Sequence, residues 1–282
     1  MPGEVTGPYI GWQRPTMNPP VDSLQGKVAL ITGAGSGLGE AIALMFAACG
    51  AKIGAVDRNE NQLKRVVEEI TATGGAALAL PADVTAADQL AAAVTKVEET
   101  WGRLDTVCAN AGINGTWAPV DELTPEEWDE TLGINLKGTF LTVRACTPLL
   151  KRSGGGSIII TSSGLGTRMF AQTSASAYAA SKSGQAAFGR MIALELAKHK
   201  IRVNTVCPGA FKSNIMASTR FRNTRDLRLP VLYPEGNVPL TGGPIGTVEQ
   251  MARVVWFLAS DLSDFVTGTE IYADGGQSLI TG

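Results

Sequence analysis

In Ala177-Tyr178-Ala179-Ala180-Ser181-Lys182 a phenol and an ammonium stand four residues apart. On a helix that spacing puts both on one face with their side chains adjacent. A free tyrosine has a pKa near 10 and is only about 0.1% ionised at neutral pH, too little for a working base. An ammonium a few ångströms away lowers such a pKa by roughly one to three units, and a second positive charge nearby acts in the same direction. The pair is then able to exchange a proton with an alcohol. Other reactive side chains offer less. The single His199 lies between Lys198 and Lys200 near the end of a predicted helix, in a solvated or helix-capping position, so the chemistry is expected to run without histidine. Cys49, Cys108, Cys146 and Cys207 fall in or beside apolar runs, without the paired spacing of a zinc site or redox motif. They read as reduced, buried thiols, and no metal is expected.

The stretch able to bind a ligand opposite such a pair lies far upstream. Lys27-Val28-Ala29-Leu30-Ile31-Thr32 is apolar, breaks into Gly33, Gly35, Gly37 and Gly39, and passes into Glu40–Phe46 with apolar residues at helical spacing. That is how a buried parallel strand, a tight turn and a crossover helix read in sequence. Glycines let the backbone turn sharply and approach a ligand, while the N–H groups and positive dipole end of the new helix attract a phosphate. A nucleotide cradled by Gly33, Ser36, Gly37, Leu38 and Gly39 is implied. The spacing Gly33-x-x-x-Gly37-x-Gly39 is not the Gly-x-Gly-x-x-Gly fingerprint in any register, and a bare turn also uses glycine. Asp57 strengthens the reading. It closes the next strand-like run, Lys52–Val56, at about the 20-residue distance where an acidic side chain holds an adenosine ribose by its hydroxyls. A carboxylate there favours NAD over NADP, whose extra phosphate meets a like charge; the adjacent Arg58 either turns toward that phosphate or stays solvated.

From Lys27 onward short apolar runs alternate with helical patterns: strand Lys52–Val56, helix Glu60–Thr73, strand Ala76–Leu80, helix Ala87–Thr100 and strand Leu104–Ala109, with Gly74, Gly75 and Gly102 as stops. Right-handed crossovers then place helices on both faces of one parallel sheet, a doubly wound, Rossmann-like α/β domain over residues 23–282 with about seven strands. In such sheets ligands bind beyond the carboxyl ends of the strands, near the point where strand order reverses. Asp83-Val84 follows the third strand, as an adenine contact or an acidic helix cap. Asn110-Ala111-Gly112 ends the fourth, either a flat seat for a cofactor or a plain turn. Asn135 falls inside the long helical stretch that Pro125 begins, where an asparagine implies a hydrogen-bonding task for its amide. Gly156–Ser163 is the fifth strand and ends in hydroxyls, while strands Ile201–Val206 and Thr269–Ala273 with helix Val248–Ser260 complete the sheet.

Residues 214–246 lack a clean period and contain Pro230, Pro234, Pro239 and Pro244, which reads as a lid or binding element. Its Arg220, Arg222, Arg225 and Arg228 are either a site for an anionic substrate or a solvated charged loop. Residues 1–22, with Pro2, Pro8, Pro15, Pro19 and Pro20 and no signal-peptide core, read as an extended arm whose Tyr9, Ile10 and Trp12 dock or stay loose. With 24 Lys+Arg against 26 Asp+Glu the formal charge is −2, no excess with which to hold nucleic acid or an anionic membrane. Runs such as Val254–Ala259 are too short to span a bilayer, and a cytoplasmic protein is expected.

The chain resembles the short-chain dehydrogenase/reductase family. Thr32-Gly33-x-x-x-Gly37-x-Gly39, Asp83-Val84, Asn110-Ala111-Gly112, Asn135, Ser163, Tyr178-x-x-x-Lys182, Pro208-Gly209 and Asp274-Gly275-Gly276 match the family's pieces in the family's order, over residues 24 to 278. The resemblance implies that Tyr178 is the general acid/base and that Lys182 lowers its pKa and holds the nicotinamide ribose. It implies that Ser163 binds the substrate oxygen and that Asn135 supports a water-linked proton relay through Lys182. Pro208, Gly209, Phe211 and Ser213 would form the loop over the nicotinamide amide, with Ser213 keeping the hydroxyl of the usual threonine. The expected activity is NAD-dependent hydride transfer between nicotinamide and a small secondary alcohol or ketone. The family's pairing of the Ala, Ser and Gly-rich helix of Tyr178 implies a homotetramer or dimer. The alternatives are an NADP-dependent 3-ketoacyl-type reductase, for which a basic residue at Ser36 or a neutral one at Asp57 would speak, and a redox-silent nucleotide-binding scaffold, which would tend to lose Tyr178 or Lys182.

Overall fold

Val28–Thr32 (β1) is buried along its whole length because its side chains alternate between two cores. Val28 and Leu30 pack into one with Leu90 and Val97, while Ala29 and Ile31 pack into the other with Ile42 and Phe46. A strand apolar on both faces needs helices on both sides, and the chain supplies them. The computed structural model describes residues 23–227 and 236–280. The expected arm, residues 1–22 with Tyr9, Ile10 and Trp12, lies outside the described residues, as does Arg228 of the lid.

After β1 the main-sheet strands are β2 (Lys52–Asp57), β3 (Ala76–Pro81), β4 (Thr106–Ala109), β5 (Gly156–Thr161), β6 (Ile201–Pro208) and β7 (Glu270–Ala273). They form one seven-stranded sheet in the order β7-β6-β5-β4-β1-β2-β3. Every pairing is parallel. Helices α1 (Gly37–Ala48) and α2 (Glu60–Ala72) cover one face and α3 (Ala87–Trp101) the other. The fold is the doubly wound, Rossmann-like α/β arrangement expected from the alternation. Expected strand and helix ends are displaced by one or two residues. Gly102, in the left-handed region at φ 70°, ends α3 where the sequence places a stop.

One element departs from the sequence reading. The long helix from Pro125 is broken into α4 (Pro125–Leu132), a π-helical turn at Gly133–Lys137 and α5 (Gly138–Arg152). Thr124 and Glu127 close a capping box at the start of α4, and Asn135 sits inside the π turn. Beyond it come α6 (Ser176–Ala197), which carries Tyr178 and Lys182, and α7 (Val248–Ala259). The lid is not structureless. Its Thr219–Phe221 pairs in parallel with Gly115–Trp117, and Gly246–Thr247 pairs with Phe211–Lys212.

The chain runs from β1 outward to β2 and β3, then crosses back to β4 on the opposite side of β1. Strand order therefore reverses between β1 and β4, and the loops leaving them diverge to open a crevice. Among the described residues no helix is long and apolar enough to cross a membrane, and no cluster of three or more His, Cys, Asp and Glu could hold a metal ion. All four cysteines are free and buried.

Candidate active site

A cavity of about 780 Å³ runs across the carboxyl ends of the strands and opens at that reversal. Two glycines shape its floor. Gly33 turns at φ 68°, and a Cβ on Gly39 would stand 2.0 Å from the Gly33 carbonyl oxygen, so only glycine lets α1 begin this close to β1. Ser36 is the N-cap of α1 but makes no side-chain cap bond. The first-turn N–H groups, on Gly37, Leu38 and Gly39, have no intrahelical acceptor and are free to meet a phosphate. The open side of Gly37 faces Ser213 and Asn214, whose nearest atoms would lie 3.8 Å from an added Cβ. Bare helix N–H groups, close-approach glycines and a cavity of this size fit a dinucleotide.

Asp57 lines the far end of the same cavity with Arg58, Asn59 and Gln62. Its Oδ2 accepts the Gly35 N–H at 3.0 Å and its Oδ1 the Asn59 N–H at 2.9 Å, so the carboxylate is fixed at the tip of β2. Asp83 and Val84 line the cavity beside it. The Asp83 Oδ1 accepts both the N–H and the O–H of Thr85, at 2.8 and 2.7 Å, bonds that hold its pKa below the usual carboxylate range. Asp83 is not the helix cap that the sequence left open beside the adenine contact: the N-cap of α3 is Ala86, and Asp83 bonds within its own turn. Asn110 ties the crevice together: its N–H and that of Ala111 both donate to the Thr32 hydroxyl, at 3.0 and 3.1 Å, and its Nδ2 donates to the Thr32 carbonyl at 3.1 Å. Thr32 thus pins the end of β1 to the turn after β4, with Gly112 beyond.

Tyr178, Lys182, Gln185 and Gly189 lie along the buried face of α6. Tyr178 is 8% exposed and lines the cavity with Ser163 at the end of β5, whose hydroxyl lowers the tyrosine pKa and accepts the Leu165 N–H at 3.1 Å. Ser162 is turned away, donating to the Lys182 carbonyl at 2.7 Å. Lys182 is 2% exposed; its Nζ donates to the Thr161 carbonyl at 2.9 Å and lies 5.6 Å from the Tyr178 ring centroid. One expectation is corrected here. Burial pushes the Tyr178 pKa up, against the opposing effect of Ser163. Desolvation is the larger effect on Tyr178, while Lys182 Nζ is directed at a backbone carbonyl rather than at the phenol.

Burial also pushes Lys182 down to about 8. In the unfolded chain its pKa is about 10.4, so the unfolded state binds the proton more tightly and the contribution of Lys182 to stability rises with pH across that window. The contribution is present above the unfolded pKa and lost as pH falls through the folded one. Urea unfolding of the nucleotide-free protein is expected to show wild type gaining about 2 kcal/mol on Lys182→Met between pH 7 and pH 9.5. A pH-independent difference between the two proteins would refute this.

Asn135 is fully buried and stands behind the cavity wall. Its Oδ1 accepts the Ile113 N–H at 2.8 Å, and its Nδ2 donates to the Ile113 carbonyl at 2.9 Å and the Ser181 hydroxyl at 3.0 Å. The amide therefore holds the loop after β4 against α6, and a Cβ on Gly112 would lie 3.1 Å from Asn135 Oδ1 and 3.5 Å from Lys182 Nζ. Pro208, Gly209, Phe211 and Ser213 all line the cavity after β6. Gln277 secures that loop, its Oε1 accepting the Ala210 N–H at 2.9 Å.

A family model described as enoyl-(acyl carrier protein) reductase matches residues 33–278. The chain belongs to the short-chain dehydrogenase/reductase family. A solved 3-ketoacyl-ACP reductase from Sinorhizobium meliloti superposes with a TM-score of 0.86 at 49% identity, covering 90% of this chain and 99% of that one. A 3-ketoacyl-(acyl-carrier-protein) reductase from Brucella melitensis, solved as a complex with NADH, gives 0.79 at 34% identity over 90% and 99% of the two chains. Cyclohexanol dehydrogenase from Acinetobacter sp. is 35% identical over 89% of this chain and 95% of its own length. The protein is an oxidoreductase of this family.

Within the short-chain dehydrogenase/reductase site the cavity gathers the expected cofactor residues except Gly39, which lies under the turn, and of the four expected catalytic residues it leaves Asn135 behind the wall. Sequence reasoning missed Thr32 as a pin, Gln277 as a loop support, and the wall formed by Trp117, Leu165, Met169 and Met216. The wall residues carry no motif and come from three separate loops. Among the described residues the lid arginines are not gathered at the cavity. Arg220 pairs with Glu130 and Arg222 with Glu127, so both clamp the lid to α4, and neither they nor Arg225 line the cavity.

Proposed function

We propose that the protein is an NAD-dependent alcohol dehydrogenase or carbonyl reductase acting on a secondary alcohol or ketone, with Tyr178 as the general acid/base. The observation that carries this is Tyr178 together with Ser163 on the wall of the same cavity whose far end presents Asp57. NAD, when bound, supplies the hydride acceptor and its reduced form the donor. The chain's own residues do the rest. Ser163 and Tyr178 present two hydroxyls to one substrate oxygen, which orients the reacting carbon. A raised pKa keeps Tyr178 protonated at neutral pH, the state that donates to a carbonyl oxygen during reduction; oxidation needs the phenolate and gains as pH rises. Lys182 holds a positive charge beneath the ring and reaches a ribose hydroxyl, and Asn135 keeps the intervening loop closed. Residues 214–246 serve as the lid.

Cytoplasmic residence and a homotetramer belong to the same reading. Four free buried thiols suit a reducing compartment. On α5 and α6, Phe140, Met191 and Leu194 are 45%, 77% and 84% exposed, apolar surface that a second copy would cover. An NADP-dependent 3-ketoacyl reductase is the second reading, favoured by the name of the 49%-identical structure. The test is a panel of secondary alcohols and ketones with NAD and with NADP, followed by the absorbance of the reduced nicotinamide. Absence of turnover with every pair would remove the reading.

A further inference from the structure

Among the described residues the part of the cavity beyond Tyr178 offers no charged partner to an ion, and we infer that the substrate is an uncharged, largely apolar alcohol or ketone. The inference rests on the hydride-transfer reading and names the substrate class of that same site. Strand order sets the layout. Asp57 and Asp83 stand at the ends of β2 and β3, while Ser163 stands at the end of β5 across the reversal. The loops after β4, β5 and β6 therefore enclose the substrate end. Among the described residues the charged side chains lining the cavity are Asp57, Arg58, Asp83 and Lys182. The first three belong to the β2 and β3 end, and Lys182 is buried with its Nζ donating to a carbonyl.

Three nearby cations are engaged elsewhere: Arg220 and Arg222 on the carboxylates of α4, and Arg168 over the Tyr272 ring at 3.6 Å from its centroid. The wall at this end is instead uncharged and largely apolar. A Cβ on Gly164, the residue after Ser163, would stand 3.0 Å from Met169 Sδ, so that thioether folds over the site beside Ser163. Trp117 forms a fixed wall, its Nε1 donating to the Asn114 carbonyl at 3.2 Å and its ring meeting Phe221 edge-on at 5.6 Å. Ile113, Leu165 and Met216 extend this wall, and the polar side chains beside them, Asn114, Gln172 and Asn214, are uncharged amides. A carboxylate or phosphate brought here loses its water without gaining a charged partner, whereas an apolar ring or chain gains contact with adaptable thioethers.

Matched ketones that differ only in a distal carboxylate or its methyl ester test the idea, as substrates for the intact enzyme with reduced nicotinamide. The ester is expected to exceed the acid in kcat/KM by at least about 30-fold. Equal efficiency, or preference for the acid, overturns the inference and leaves the hydride-transfer reading intact. Turnover of neither member across cyclic and open-chain pairs, with either nucleotide, overturns both. Met216 is 54% exposed, so Met216→Arg is tolerated by the fold. It should narrow the ratio at least about tenfold by raising kcat/KM for the acid. An unchanged ratio would show that this wall does not face the substrate.

Discussion

Tyr178→Phe lowers kcat by at least about 100-fold while nucleotide binding persists, because acid/base catalysis is typically worth 10²–10⁴-fold and only the proton carrier is removed. Phenylalanine keeps the ring that α6 buries, so packing around the 8%-exposed residue is retained. The loss is the hydroxyl, with the pKa-lowering influence of Ser163 on it. A variant that kept more than about a tenth of wild-type kcat would exclude Tyr178 as the acid/base. Ser163→Ala supplies an independent check with a defined sign. The Ser163 hydroxyl lowers a Tyr178 pKa that burial raises, so its removal moves the alkaline rise of the oxidation rate to higher pH. Nucleotide affinity, read by titrating protein fluorescence, should stay near wild type in Tyr178→Phe. In Lys182→Ala it should weaken, because Lys182 is assigned the nicotinamide ribose.

The second large effect is cofactor choice. NAD is expected to exceed NADP by at least about 100-fold in kcat/KM, the scale of a like-charge juxtaposition worth several kcal/mol. The geometry sharpens the expectation. Backbone N–H groups of Gly35 and Asn59 hold both Asp57 oxygens, so the carboxylate cannot swing away from a ribose phosphate. Each oxygen retains a further lone pair for a ribose hydroxyl. Arg58 has an acidic neighbour, since its charge helps to depress the Asp83 pKa. Steady-state kinetics with both nucleotides on Asp57→Ala should show NAD weakened and NADP improved. Asp57→Asn keeps an acceptor for Gly35 and so separates the charge from the turn. Wild-type enzyme that used the two nucleotides equally would show that Arg58 prevails, and would favour the 3-ketoacyl reading.

What the sequence made legible was whatever depends on neighbours in the chain. The alternation of Val28 and Leu30 with Ala29 and Ile31, the glycine turn, and the four-residue step from Tyr178 to Lys182 are local patterns, and each forms as its period dictates. The Tyr178 pKa was not legible, because it turns on how deeply α6 is buried. Neither was the pairing of Arg222 with Glu127, made by residues 95 apart. The π turn around Asn135 belongs to the same class. A helical pattern from Pro125 onward cannot reveal that an amide will be claimed by Ile113 of another loop, and the extra residue in that turn accompanies the side chain reaching sideways. Thr32 stood in the glycine motif with no task of its own; only the approach of β4 makes its hydroxyl a clasp.

The paired ends of the lid bear on how such an enzyme diversifies. Phe211–Lys212 and Gly246–Thr247 lie side by side where the lid leaves and rejoins the body, so the intervening chain is a loop whose mouth is already closed. Lengthening a flexible loop with fixed ends costs only about 0.6 kcal/mol per doubling. Insertions between those ends can therefore be accepted and discarded with little penalty to folding, while Tyr178, Lys182 and Asp57 remain on elements that do not register the change. Substrate range is in this sense a heritable variable decoupled from the hydride-transfer apparatus.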